Sequence, residues 1–235
     1  MNNVKKLLLL VLISVLLVLA ACTNTTNEAP NNVPKQEEQP QPPRNEQPKE
    51  SDPEDTPAEE EAPEEGTPPT ALESAKTVIT ALERGDMSTV ANWVSRDKGL
   101  RFSPYAYVDL KKDVHFSKDE VAGLMEDTTS YVWRAFPGNG ELIEMPYSEY
   151  HQKFVYDADF INKGEISLNT VSGESTTLNN LNKVYPQESY AFVEYHISGI
   201  DPTVEGMDWR SLRLVFEKIG QDHALVGIIH DQWTP

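Results

Sequence analysis

Between Thr23 and Pro69 the chain carries eleven of its seventeen prolines, thirteen acids against three bases, no aromatic residue and one branched aliphatic, Val33. Such a stretch cannot bury enough apolar surface to offset the entropy of ordering it, so the sequence predicts disorder there and confines folding to the residues after Pro69. Proline and self-repelling acids stiffen it into a spacer, with an upper-limit reach of about 150 Å as polyproline and roughly 40 Å as a coil. The acidic run reads as a solvated tether rather than a binding tail.

The segment before the spacer explains why a tether is useful. Lys5 and Lys6 lead into an apolar run from Leu7 to Ala21, broken only by Ser14, which ends in Leu19-Ala20-Ala21-Cys22. A basic start, an apolar centre and small residues at the end are the parts of a secretory signal, and the run is too short for a membrane span of about 20 apolar residues. Leu-Ala-Ala-Cys resembles the lipobox of bacterial lipoproteins. The resemblance implies that residues 1–21 are removed, that Cys22 becomes the acylated first residue, and that 22–69 link a lipid on the outer face of the cell membrane to a domain at 70–235. Cys22 is the only cysteine of the chain, so the domain is held without disulfides. Of the formal net charge of −18, −10 falls from Thr70 onward, which argues against nucleic acid and anionic lipid as partners of the folded part.

From Thr70 the pattern becomes globular. Leu72, Ala75, Val78, Ile79 and Leu82 recur at helical spacing; Gly85 can stop that helix and Asp86 can cap the next, which carries Val90, Ala91, Trp93 and Val94. Leu100–Val108 reads as an edge or interrupted strand because of Pro104. Ser117-Lys118-Asp119-Glu120 is a capping box. Tyr131–Phe136 and Glu141–Met145 read as strands around Pro137-Gly138-Asn139-Gly140. Tyr147, Tyr150, His151 and Phe154 make a helical stripe on which His151 is a packed side chain. Asn162–Val184 is barely legible, with a brief strand at Glu165–Val171 and a helical turn at Leu178–Val184.

Three strands close the chain, at Ser189–Ser198, Trp209–Ile219 and His223–Trp233, the last two joined by Gly220-Gln221-Asp222. If Ile219 faces His223, then Phe216 faces Val226, Leu214 faces Ile228 and Leu212 faces His230, which gives one apolar face. Trp209, Ser211, Arg213, Ile229, Asp231 and Trp233 then share the other, where Arg213 and Asp231 make a cross-strand ion pair worth at most about 1 kcal/mol if exposed. His230 and Asp231 point in opposite directions.

Helices succeeded by an antiparallel sheet with its longest hairpin at the C-terminus resemble the nuclear transport factor 2-like fold, an α+β cone of helices on a curved antiparallel sheet. The blocks Phe102-Ser103-Pro104-Tyr105, Met207–Glu217 and Leu225–Thr234 are similar to those of an uncharacterised lipoprotein family of Gram-positive bacteria. That resemblance implies an extracytoplasmic lipoprotein and assigns no activity; the cone fold hosts isomerases, dehydratases and interaction modules.

These features admit two functional readings. In one, the domain is a non-catalytic module binding a ligand in the cone through Tyr105, Tyr107, Trp133, Tyr195 and His230, or a cell-envelope protein or wall polymer through exposed Trp209 and Trp233. In the alternative, His230 is a cavity base of a small-molecule isomerase, dehydratase or hydrolase, aided by Tyr195; a satisfied core histidine is the simpler account. The histidines at 115, 151, 196, 223 and 230 show no metal-ligand spacing, and no nucleophile elbow, phosphate loop or dinucleotide fingerprint occurs, so neither a metal nor a cofactor is expected.

Overall fold

The computed structural model describes residues 66–172 and 178–234. The leader, Cys22 and nearly all of the spacer lie outside the described residues. Among the described residues no helix is long and apolar enough to cross a membrane.

Helix α1 (Ala71–Glu83) begins in a capping box, with Thr70 and Glu73 each accepting the other's backbone N–H. Ala75, Val78, Ile79 and Leu82 are buried, whereas Leu72, placed on the apolar stripe by its spacing, lies exposed at the first turn. Gly85, at φ +65°, donates to Leu82 O (3.0 Å) and ends the helix. Asp86 Oδ1 accepts from Thr89 N (3.0 Å) and starts α2 (Met87–Trp93).

Strand β1 (Leu100–Ser103) stops at Pro104, but it is interior to its sheet, paired antiparallel with the three-residue β2 (Val114–Phe116) and parallel with β8 (Asp222–Gln232). Ser117 and Glu120 form the capping box of α3 (Lys118–Val121). β3 (Tyr131–Ala135) and β4 (Leu142–Met145) make a separate two-stranded sheet, with Gly138 and Gly140 at positive φ in the turn. A bulge between Val132 and Arg134 takes Trp133 out of the ladder, and its indole is fully buried in the core. Next come α4 (Tyr147–Phe154), α5 (Phe160–Lys163), β5 (Glu165–Leu168) and α6 (Leu181–Val184). β6 (Tyr190–Ile197), β7 (Arg210–Ile219) and β8 complete a six-stranded sheet ordered β2-β1-β8-β7-β6-β5. The result is α+β, with helices on a curved sheet that is mixed, not antiparallel throughout as expected, because β1 runs parallel to β8.

The last hairpin departs from the expected register near its turn. Ile219 pairs with Asp222 across a two-residue loop, and Phe216 pairs with Leu225 rather than Val226. Continued unchanged, that register would turn every later side chain to the wrong face. A bulge prevents it: Val215 pairs with Gly227, Val226 is left over, and Leu214 then faces Ile228 and Leu212 faces His230, as the apolar pattern requires.

The other face of the sheet also differs from expectation. Val108, Leu181, Tyr185, Phe192, Val215, Val226 and Ile229 form an apolar cluster there, so the sheet is covered on both sides. Arg213 and Asp231 are consequently buried, not solvated, and Glu194 from β6 joins them: Arg213 Nε donates to Glu194 Oε1 (2.8 Å) and Nη2 to Asp231 Oδ2 (3.0 Å).

Candidate functional site

The residues read as lining a cone come from the loop after β1, β3, β6 and β8. The structure brings several of them together, but as members of one packed aromatic core. Trp133 stacks on Tyr150 with ring centroids 3.7 Å apart, and Phe102 meets Trp133, Tyr147 and Tyr150 edge-on. Trp133 Nε1 donates to Met145 O (2.9 Å). Tyr105 packs on Phe154 at 6.0 Å, and burial pushes its phenol up to about 12. Tyr195 is buried opposite Leu212, its phenol also pushed up by burial. Tyr107 stands apart, 39% exposed, with its carbonyl accepting from Arg134 Nη1 (3.2 Å).

His230 is fully buried, edge-on to Phe154 at 5.8 Å. Its Nε2 lies 3.1 Å from Asp157 Oδ1 and its Nδ1 3.4 Å from Pro104 O. Both nitrogens thus face protein oxygens. Arg210 Nε donates to the other carboxylate oxygen of Asp157 (2.7 Å). Burial pushes the Asp157 carboxyl up, but His230 and Arg210 together pull it down more strongly, so it titrates below the usual aspartate range. No sequence signal marks Asp157, an acid between α4 and α5; its role exists only because the start of β7 and the end of β8 meet it.

The pair makes stability depend on pH. A carboxyl whose folded pKa lies below its unfolded one, about 3.9, contributes stability above that value and loses it as pH falls through the folded pKa. Asp157→Asn is expected to lose about 1–3 kcal/mol at pH 7, with the gap to wild type closing below about pH 4. Thermal melts from neutral to acid pH check this, and a gap that stays constant over the range contradicts it.

His151 is packed on Tyr147, and burial holds its imidazole below the usual range. Trp209, expected on an exposed patch with Trp233, is instead buried against His196 at 5.9 Å, because this face of the sheet is covered. Of the two, Trp233 alone is exposed. Among the described residues no three His, Cys, Asp or Glu side chains come together in a way that could hold a metal ion.

Open concavity lies elsewhere. A groove of about 650 Å³ runs between the end of α2, the start of α3 and the tip of the β7–β8 hairpin, lined by Trp93, Arg96, Lys118, Ile219, His223 and Pro69 among others. His223 Nδ1 is 3.2 Å from Pro69 O and Lys118 Nζ donates to Asn92 O (3.1 Å), while Arg96 has no ion-pair partner among the described residues. A smaller cleft of about 400 Å³ lies between α1 and α2, beside Lys76, Thr80 and Arg84. Neither is lined by Tyr105, Tyr107, Trp133, Tyr195 or His230. Nothing in the sequence singles out the groove, since its residues come from four separated segments.

No protein-family model matches the chain, and no curated protein matches it. Among solved structures it is similar to a DUF4783 family protein from Bacteroides ovatus, with 10% identity over 68% of this chain and 94% of that one and a TM-score of 0.29. An NTF2-like design shares 14% identity over 68% of this chain and 95% of its own, with a TM-score of 0.30. A domain of unknown function with a cystatin-like fold from Nostoc punctiforme shares 12% identity over 70% of this chain and 78% of its own, with a TM-score of 0.30.

Proposed function

We propose that the protein is an extracytoplasmic lipoprotein, anchored to the cell membrane through acylated Cys22, whose cone-type domain is a non-catalytic binding module. On this reading it belongs with the Gram-positive lipoproteins that its sequence blocks resemble, and its partner is a cell-envelope protein or wall polymer. The observation that carries the non-catalytic reading is His230: the ring is fully buried and both of its nitrogens lie against protein oxygens, so neither nitrogen is open to a substrate. The alternative use of His230 as the base of an isomerase, dehydratase or hydrolase loses its support there.

Binding then falls to the groove beside Pro69, where Ile219 is 54% exposed next to Trp93 and Arg96. Its walls mix apolar side chains, Trp93 and Ile219, with Arg96 and Lys118 and the acids Asp97 and Asp222, which suits a partner that brings apolar contacts together with hydrogen-bonding groups. The test is in-cell photo-crosslinking from position 219, with Leu142 on β4 as the exposed control. A discrete adduct from 219 and none from 142, diminished by Arg96→Glu, is the expected result. Equal labelling from both positions, or none from 219, would count against the groove.

A further inference from the structure

The aromatic core matches nearly all of its polar atoms internally. Trp133 Nε1 donates to a carbonyl, the Tyr147 hydroxyl lies 3.2 Å from Met87 Sδ, and His230 is engaged on both sides. Four side-chain atoms around it break the pattern: the hydroxyls of Tyr105, Tyr150 and Tyr156 and Nε2 of His151 have no hydrogen-bond partner among the described residues, and the first two belong to rings that pack on one shared neighbour, Phe154. Tyr105 and Tyr150 are 5% and 0% exposed, and neither hydroxyl has a hydrogen-bond partner among the described residues. A buried hydroxyl donor left unmatched loses its hydration with nothing in return, so folded proteins satisfy such groups.

These two hydroxyls belong to one neighbourhood. Both rings pack on Phe154, Tyr105 at 6.0 Å and Tyr150 at 5.2 Å between centroids. The charge of Arg134 acts on both phenols, and that of Asp113 on Tyr150. Arg134 and Asp113 are already matched to each other, with Nη1 and Oδ1 2.7 Å apart. No unbalanced positive charge therefore remains to hold an anion, and the group the phenols would share must be neutral. Burial pushes both phenols up and keeps them protonated, so each has a proton to donate.

We propose that Tyr105 and Tyr150 form the donor end of an internal site for one neutral acceptor oxygen, filled by an ordered water molecule in the free protein. Water is the occupant that fits the walls: Trp133 lies flat on Tyr150, Phe154 packs on both phenol rings, and neither the groove beside Pro69 nor the cleft between α1 and α2 is lined by them. A water accepting from two phenols also rigidifies the contact between the loop after β1 and helix α4, two segments with no strand pairing between them.

A high-resolution crystal structure of the intact chain, with melting curves of Tyr105→Phe, Tyr150→Phe and the double variant, tests this. The ring is retained in each variant, so the core keeps its packing. A single solvent-sized density peak within hydrogen-bond reach of both hydroxyls is expected. Each single variant should melt about 2–4 °C lower, and the double variant should lose less than the sum, since one water serves both. Absence of the peak, or single variants that melt at or above wild type, overturns the proposal. Density too large for water overturns the assignment of the occupant.

Discussion

Arg213→Met is expected to lower the melting temperature by about 6–20 °C, corresponding to about 3–5 kcal/mol. The side chains of Arg213 and Glu194 are fully buried and that of Asp231 nearly so, and the guanidinium spans three adjacent strands between the two carboxylates. Removing the cation that faces two carboxylates in a dry setting leaves two buried negative charges without their counter-ion, which costs more than the intact pair contributes. Glu194 also accepts from Ser172 N, so its displacement loosens the segment after β5 as well.

Rescue is expected when all three charges are exchanged at once. The combination Glu194→Leu, Arg213→Met and Asp231→Leu removes the desolvation penalty along with the attraction, and the triple variant should recover most of the lost melting temperature. Thermal and denaturant unfolding of wild type, the single variant and the triple variant provides the check. A single Arg213→Met variant within a degree or two of wild type would mean that the carboxylates find water or another cation, contrary to their burial here.

Legibility from sequence tracked the range over which each feature is determined. The first helix and its stop were readable because Ala75, Val78, Ile79, Leu82 and Gly85 specify them locally. The three C-terminal strands were readable for the same reason, and the pairing of Leu214 with Ile228 and Leu212 with His230 comes from alternation alone. The bulge at Val226 was invisible because Leu225, Val226 and Ile228 are all apolar, so no polarity change marks where the phase slips. Residues 162–184 resisted reading because α5 and α6 have four residues each, too few for a period to show.

The candidate site was less legible than the fold. Opposite orientations for His230 and Asp231 could be derived from strand geometry. What each side chain meets could not, because Asp157 and Glu194 approach from elements 73 and 19 residues away from His230 and Arg213. The face carrying Arg213 was expected to be solvated because its cover, the residues around Val108, Leu181 and Tyr185, comes from segments without strong periodicity. Alternation identifies which side chains share a face and says nothing about whether a loop lies over it.

The second large effect concerns placement, not stability. If a diacylated Cys22 is the anchor, its loss is close to all-or-none, since two acyl chains hold a protein stably where one gives only marginal binding. Nothing else in the described part of the chain replaces it: no described helix can span a bilayer, and the net charge from Thr70 onward is negative, so anionic lipid repels the domain. Cys22→Ala is therefore expected to move the protein from the membrane fraction to the medium or to leave it as the unprocessed precursor, with the domain's melting temperature unchanged. The decisive measurement is the intact mass and N-terminal peptide of the mature protein isolated from membranes. Lipid anchoring requires a chain beginning at Cys22 whose sulfur carries acyl chains; a free thiol at that position, or a mature chain beginning elsewhere, would contradict it.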